Sequence, residues 1–326
     1  MKTAVTGASG RIGLPLVEAL LAAGHEVRVL SHRKTTVFEH LPVEMIQGSV
    51  LERADMDRLV QDCEVVFHLA AVVSIRSGKN EFMRRVNIEG THNVLDAAHR
   101  HDVRRVVYFS TIHAFSETGP DDPFDETRPL ALDCRMAYSR SKAEALQQAF
   151  QFAAAKSLEI IALCPTSVIG PFDHEPSLSG RMFIDFDRGK IPLLAPGGFD
   201  WVDVRDVINA AVAAMHRGKS GQAYLLSGSY ATLPMIARMA CVHTGKPVPQ
   251  RVAPYRLLRT IAPLAEIFAR ITGADPLFTR DAIVTLRNGS KYVSSEKARR
   301  ELGYQSRPLE ETIADAYRWF EQNNYL

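Results

Sequence analysis

The stretch "AVTGASGRIG", Ala4 to Gly13, decides how the rest of the chain is read. A short apolar run breaks into glycines at Gly7, Gly10 and Gly13, and the sequence then continues as the amphipathic pattern "LPLVEALLAAG". A strand ending in a turn poor in side chains and feeding a helix is where glycines let the backbone approach a pyrophosphate. The helix N-terminus favours that charge. The same spacing also serves a bare connection between strand and helix, so the turn needs support from elsewhere in the chain.

Outward from the turn, apolar runs alternate with longer amphipathic stretches. "TAVTG", "EVRVLS", "EMIQG", "CEVVFHLAA", "RRVVYFST" and "LEIIALCP" read as buried strands, rich in β-branched residues and short for helices. Between them, "ERADMDRLVQDC", "NEFMRRVNIEGTHNVLDAAHRHD" and "SRSKAEALQQAFQFAAAKS" carry helical periodicity. Alternation of this kind predicts an α/β fold, a doubly wound parallel sheet with helices on both faces. After Pro165 the rhythm changes: "PTSVIGPFDHEPSLSG" reads as a loop, "FDWVDVRDVINAAVAAMHRG" as a strand and helix, and "GQAYLLSG" as another strand. The last hundred or so residues are mostly helical in pattern. Residues 1–165 and 199–229 are therefore expected to form a nucleotide-binding domain. Residues 166–198 and 230–326 are expected to form a smaller, discontinuous, mainly helical substrate-binding domain.

Composition narrows the function. A chain of 326 residues with 46% hydrophobic and 23% charged content has enough apolar matter for an ordered globular protein. The formal charge of +2, without long like-charge blocks, gives no argument for nucleic acid or an anionic membrane as partner. Cys63, Cys134, Cys164 and Cys241 are far apart and form no CxxC pair, so neither a disulfide framework nor a zinc ribbon is expected. No apolar stretch reaches membrane-spanning length. The most apolar piece, "APYRLLRTIAPLAEIFARITG", is interrupted by Pro263, Arg256, Arg259 and Arg270 and reads as a core or lid helix pair. A cytoplasmic location is expected.

Two further signals support the turn. About twenty residues beyond the glycines, an NAD site carries an acid on the ribose 2′-hydroxyl. Here the window reads "LSHRKTT", where His32, Arg33 and Lys34 offer cations to a 2′-phosphate; NADP is favoured over NAD, the alternative being a solvated basic loop. The second signal is Tyr138 and Lys142, four apart and so on one helix face. An ammonium near a phenol stabilises phenolate and brings a pKa of about 10 toward the working pH, where tyrosine exchanges a proton with an alcohol or carbonyl. Thr111, at the end of "VVYFST", falls at the sheet edge where such folds keep ligands.

"TGASGRIG", "HLAA" at His68 to Ala71, "VNIEGTHNVLDAA", "VVYFST", "YSRSK" and "CPTSVIGP" resemble, in order and spacing, the extended short-chain dehydrogenase/reductase superfamily, the NAD-dependent epimerase/dehydratase family. The C-terminal "SSEKARRELGYQSRPLEETIADAYRWF" also resembles it, and the dihydroflavonol 4-reductase-like branch is the most similar. The resemblance implies a Rossmann-type fold. It implies catalytic roles for Thr111, Tyr138 and Lys142: Tyr138 as general acid or base, Lys142 lowering its pKa and holding the nicotinamide ribose, Thr111 orienting the carbonyl. It implies cofactor contacts at Gly7, Ser9, Gly10, Arg11, Ile12 and Gly13, at His32 and Arg33, at Leu69, Ala70 and Ala71, and at Ser110. Further contacts follow at Pro165, Thr166, Ser167 and Val168. Asn87 matches the family asparagine, with helix packing as the other reading. The family's Gly-Asp after the third strand is Gly-Ser here, so Ser49 and Val50 would meet the adenine with a weaker acceptor.

Other candidates are weaker in pattern. His113 would face the substrate as a second donor or be a plain loop histidine, and His68 reads as structural. "HRHD" at residues 99–102 reads as a helix end, where cations suit the dipole, and no metal site is expected. Asp203, Arg205 and Asp206 are expected to lock the two domains together. The preferred function is an NADP-dependent (or NAD-dependent) oxidoreductase that moves hydride to a small-molecule ketone or aldehyde, or from the alcohol. The alternatives are an NAD-dependent sugar-nucleotide epimerase or dehydratase, and a dinucleotide-sensing protein without catalysis. Residues 172–198 and the helices after 230 offer apolar surface, favouring an apolar carbonyl compound; Arg181, Arg188, Arg251, Arg256 and Arg259 keep a diphosphate open. The resemblance also implies a homodimer through the helices that carry Asn87 and Tyr138.

Overall fold

Strand β1, Lys2–Thr6, is buried from Thr3 onward, as a central strand covered on both faces must be. In the computed structural model, which describes residues 1–32, 35–73, 81–245, 247, 249, 251–258, 260, 262 and 280–326, β1 pairs in parallel with β2 (Glu26–Ser31) and β4 (Val65–His68). With β3 (Val43–Gln47), β5 (Arg105–Phe109), β6 (Glu159–Pro165) and β9 (Gln222–Leu226) they form a seven-stranded sheet of order β3-β2-β1-β4-β5-β6-β9. Every pairing in it is parallel. The strand order reverses between β1 and β4, which places a crevice at the carboxyl ends of these strands.

The period of two along each strand divides the core. Val66, Val106 and Ile160 pack with Met56 and Leu59 of α2 (Arg53–Val60), Val94 and Leu95 of α4 (Thr91–Arg100) and Leu146 of α5 (Ala137–Ala155). Their neighbours Phe67, Val107 and Ile161 face the other way. They meet Leu16 and Leu20 of α1 (Gly13–Ala22) and Val207 and Ala211 of α7 (Val204–Arg217). The stretch read as one helix from residue 80 is instead α3 (Glu81–Arg84), a π turn (Arg85–Gly90) and then α4. The wider turn carries Asn87, which is drawn off to Val72 and Ser141 as described below, and π turns gather at such sites.

A second layer sits on the carboxyl side. β7 (Ser167–Ile169), β8 (Gly198–Asp203) and β10 (Ser229–Thr232) form a three-stranded sheet that the sequence patterns do not announce. It packs through Ile169 and Trp201 on α6 (Leu178–Asp187), α8 (Leu233–Thr244) and the C-terminal helix Leu309–Gln322. The "FDWVDVRDV" charges do join the layers. Asp203 caps α7 by accepting from Arg205 N at 2.8 Å, Arg205 Nη1 reaches Asp315 at 2.6 Å, and Arg307 Nε donates to Asp206 at 2.9 Å. "HRHD" closes α4, with Arg100 and His101 on Asp57. Among the described residues no helix is long and apolar enough to cross a membrane. The segment "APYRLLRTIAPLAEIFARITG" lies largely outside them.

Far from the crevice, Arg105 opens β5 with 6% exposure. Its Nη1 donates at 2.9 Å to Ala214 O and Met215 O, the last-turn carbonyls of α7, and its Nε donates to Glu159 at 2.8 Å. Arg105→Met leaves those carbonyls without a charged donor. It is expected to cost about 2–4 kcal/mol in urea unfolding with dinucleotide affinity unchanged. A loss below about 1 kcal/mol would show that water replaces the guanidinium there.

Candidate active site

The glycine turn is shaped by what lies behind it. Gly7 has φ +68°, and a Cβ there would stand 2.7 Å from Ala70 N; a Cβ on Gly13 would stand 2.2 Å from Gly7 O. Those two glycines serve backbone packing. Gly10 differs: it is exposed, like Ser9, and a Cβ there would meet only Gly7 O, at 3.2 Å. The α1 N-cap, Ile12, supplies no side-chain bond and the first turn holds no acid, so the helix end is suited to an outside anion. A close-packed turn with an open face and an uncapped helix behind it fits a dinucleotide pyrophosphate. Arg11 reaches across it, donating from Nη1 to Ser177 Oγ at 2.8 Å, 3.8 Å from Asp173 Oδ2.

Leu69, Ala70 and Ala71 run beside the turn after β4. Leu69 N and Ala70 N both donate to Thr6, at 3.1 Å to its carbonyl and 3.2 Å to its hydroxyl. Thr6 Oγ1 also meets His68 Nδ1 at 2.7 Å, and His68 Nε2 meets Thr91 Oγ1 at 2.9 Å. Burial, and to a lesser extent Lys142, pulls the His68 pKa down to about 3, so this neutral ring holds strand and helix together. Asn87 is 1% exposed. It accepts from Val72 N at 2.8 Å and donates to Val72 O and Ser141 Oγ, each at 3.1 Å. Ser141 in turn donates to Tyr138 O, so Asn87 links the loop after β4 to the helix of Tyr138 and Lys142. His32 is exposed at the end of β2; Arg33 and Lys34 lie outside the described residues. The Ser49 amide is bound to Asp55 and its hydroxyl to Leu51 N, while Val50 is buried.

Thr111, buried just past β5, caps a short 3-10 turn, Ile112–Ala114, by accepting from His113 N at 3.3 Å. Tyr138 stands in the first turn of α5. Burial pushes its pKa up to about 12, and a hydrogen bond with Thr111 pulls against that rise. Lys142 Nζ donates to Phe109 O at 2.8 Å and lies 4.8 Å over the Tyr108 ring. Burial lowers its pKa to about 8, with Cys164 opposing. Ser110, buried beside Thr111, is fixed by its amide to Leu163 O at 2.8 Å.

The residues just past Thr111, Ile112 and His113, line an open cleft together with Phe124, Thr166, Phe199 and Asp200, among others. His113 is indeed on it, with Nδ1 3.2 Å from Glu117 Oε1. Among the described residues that line it there is no lysine or arginine. Arg181 and Arg188 donate instead to Pro176 O and Tyr325 O, Arg251 and Arg256 are exposed, and Arg259 lies outside the described residues. Pro165 ends β6, Ser167 and Val168 open β7, and Thr166 between them donates to Asp200 Oδ1 at 2.6 Å.

Sequence reasoning passed over Asp200. The available signal was an acid between two aromatics, "FDW", on a strand. The residue is 8% exposed; burial pushes its pKa up to about 6, against hydrogen bonds from Thr166 and Gly228 N. The folded state binds this proton more tightly than the unfolded one, so Asp200 favours folding below about pH 4 and loses that advantage as pH rises through 6. Between pH 4 and 7 the stability of the wild type relative to Asp200→Asn is expected to fall by about 2–3 kcal/mol in urea titrations. A gap constant with pH would mean that Asp200 titrates normally.

Comparison with known proteins places the chain and its fold in a family. The model of the NAD dependent epimerase/dehydratase family matches residues 3–227. The chain is 33% identical to "Sterol demethylase protein B" of Methylococcus capsulatus, over all of both chains. It is 31% identical to a Synechocystis sp. protein named for dihydroflavonol 4-reductase, over 99% of this chain and 95% of that one. The crystal structure of gox2253 superposes with a TM-score of 0.86 at 29% identity, covering 100% of this chain and 99% of the other.

Proposed function

Because the chain belongs to the NAD-dependent epimerase/dehydratase family of extended short-chain dehydrogenases/reductases, we propose that it is an NADP-dependent reductase of an uncharged ketone or aldehyde with an apolar body. The reverse alcohol oxidation uses the same groups. The observation that carries this reading is Tyr138 and Lys142 on α5, with Lys142 tied to the end of β5 beside Thr111, next to a cleft whose described lining has no cation. A sugar nucleotide brings a diphosphate, which calls for arginine or lysine. The two curated relatives carry in their names a sterol and a dihydroflavonol, both polycyclic and free of phosphate.

Gly7 to Gly13 and the α1 N-terminus would hold the pyrophosphate, His32 the 2′-phosphate side, and Lys142 and Thr166 to Val168 the nicotinamide end. Bound there in reduced form, the dinucleotide supplies a hydride. Thr111 Oγ1 fixes the substrate oxygen and keeps it in line with the phenol. Tyr138, held protonated by burial across the physiological range, gives its proton to that oxygen as negative charge develops on it. The Lys142 ammonium, anchored on Phe109 O, supports the phenolate that remains. Ile112, Phe124 and Phe199 seat the apolar body and keep water from the reacting carbon.

The test is a titration of the purified protein with NADPH and NADH, followed by a panel of cyclic and aliphatic ketones with the tighter of the two. NADPH is expected to bind about tenfold tighter, one to two phosphate contacts being at stake. Equal affinities overturn the NADP preference, and stoichiometric NAD carried through purification with no ketone turnover overturns the reductase reading.

A further inference from the structure

Resting on the dinucleotide reading above, we propose that Asp173 is a positioning residue for the cofactor: through Ser177 it holds the Arg11 guanidinium at the glycine turn, and so couples phosphate binding to the seating of α6.

The Asp173 carboxylate is buried, its side chain 3% exposed. It accepts from Ser177 N, at 3.0 Å to one oxygen and 3.1 Å to the other, and from Ser177 Oγ at 2.7 Å. A buried carboxylate needs a counter-charge. Among the described residues the cation within 4 Å of it is Arg11, whose Nη1 lies 3.8 Å away and donates to the same Ser177 Oγ at 2.8 Å. Ser177 Oγ also accepts from Gly180 N at 3.1 Å and thereby caps α6. One hydroxyl is thus shared by the cation of the turn, the buried acid and the first turn of α6.

The chain around Asp173 is built to deliver it. A Cβ on Gly180 would stand 2.2 Å from Asp173 Oδ2, so the carboxylate dictates glycine at that point in α6. Phe172, the residue before it, adopts φ +71°, a left-handed conformation that a bulky side chain takes only when its surroundings impose it. Its ring packs against both the α1/α7 core and the small-sheet core. On the other side, His174 stands edge-on to Trp319, and its carbonyl accepts from the Tyr325 hydroxyl. The segment is pinned at both ends, and the side chain it presents to the turn is the partner of Arg11.

Arginine has five N–H donors in a rigid fork. Among the described residues the hydrogen bond made by Arg11 comes from Nη1, so the rest of the fork is available to a phosphate oxygen at the adjoining helix end. Held this way, Arg11 meets the phosphates without a search through its rotamers. If the Ser177 bond strengthens phosphate binding at Arg11, linkage requires phosphate to strengthen that bond in equal measure, so that α6 responds to the dinucleotide.

The experiment uses the full chain as wild type, Arg11→Met, Asp173→Asn and the double variant, with NADP⁺ or NAD⁺, whichever binds the wild type more tightly. Dissociation constants come from calorimetry and backbone protection over residues 173–187 from hydrogen exchange. Each single variant is expected to weaken binding about tenfold. The double variant is expected to bind no worse than Arg11→Met alone, and dinucleotide-induced protection of 173–187 should vanish with Arg11→Met. Ser177→Ala is the gentler variant should Asp173→Asn not fold, and it should weaken binding only while Arg11 is present. Additive losses in the double variant, or protection that survives Arg11→Met, overturn the assignment while leaving the cofactor site standing. Failure of the wild type to bind either dinucleotide overturns both.

Discussion

Tyr138→Phe is expected to lower kcat for carbonyl reduction by about 10²–10⁴-fold, the range for loss of a positioned general acid. Dinucleotide affinity and stability should stay near wild type. The phenyl ring keeps the packing of the first turn of α5, and what is lost is the hydroxyl alone. Because burial holds the phenol near 12, the proposed acid is expected to stay protonated across the neutral pH range. The alkaline limb of kcat/KM in the free enzyme should instead follow Lys142, whose pKa burial lowers to about 8. Steady-state rates across pH 6–10 for wild type and Tyr138→Phe check both statements. An unchanged kcat in the phenylalanine variant would remove Tyr138 from the chemistry.

Gly13→Ala is the second large effect, and it strikes the fold and the site together. The added Cβ would stand 2.2 Å from Gly7 O and 2.8 Å from Ala8 C and Cα. All three are backbone atoms of the turn itself, so no side chain can swing away and the turn must open. A loss of about 3 kcal/mol in unfolding free energy and about 100-fold in dinucleotide affinity is expected. Gly10→Ala serves as the contrast. Its Cβ meets Gly7 O at 3.2 Å and little else, so thermal unfolding should change slightly while affinity falls, because the methyl would occupy the face that the proposed function gives to the phosphate. Equal behaviour of the two variants in both measurements would contradict the division between packing glycines and a phosphate-facing one.

Much of this was legible because local chemistry and global fold agree. Runs such as "EVRVLS" and "LEIIALCP" can only be buried strands, and they became β2 and β6. Tyr138 four residues before Lys142, and Thr111 at a strand end, announce themselves by type and spacing, and the fold sets all three around the end of β5. What stayed hidden depends on distance in space. Asp173 and Asp200 look like ordinary loop and strand acids until burial singles them out, and nothing near residue 11 says that its partner is 166 positions away. Strands β7 and β10 are too short, at three and four residues, for periodicity to register. The π turn carries Asn87, whose side chain bonds Val72 and Ser141, and no helical pattern encodes either feature.

The path of the chain after β6 has a consequence for any attempt to cut the molecule down. It leaves the large sheet to place β7 and β8 in the small one, returns through α7 to lay β9 against β6, and departs again into β10. A fragment stopping at Pro165 would bare the whole edge of β6 and strip the Phe67 and Val107 face of α7. That open, apolar edge invites pairing with a second chain. The route of the polypeptide thus obliges both layers to ripen together. A chain cut midway is expected to expose that edge until the second half arrives.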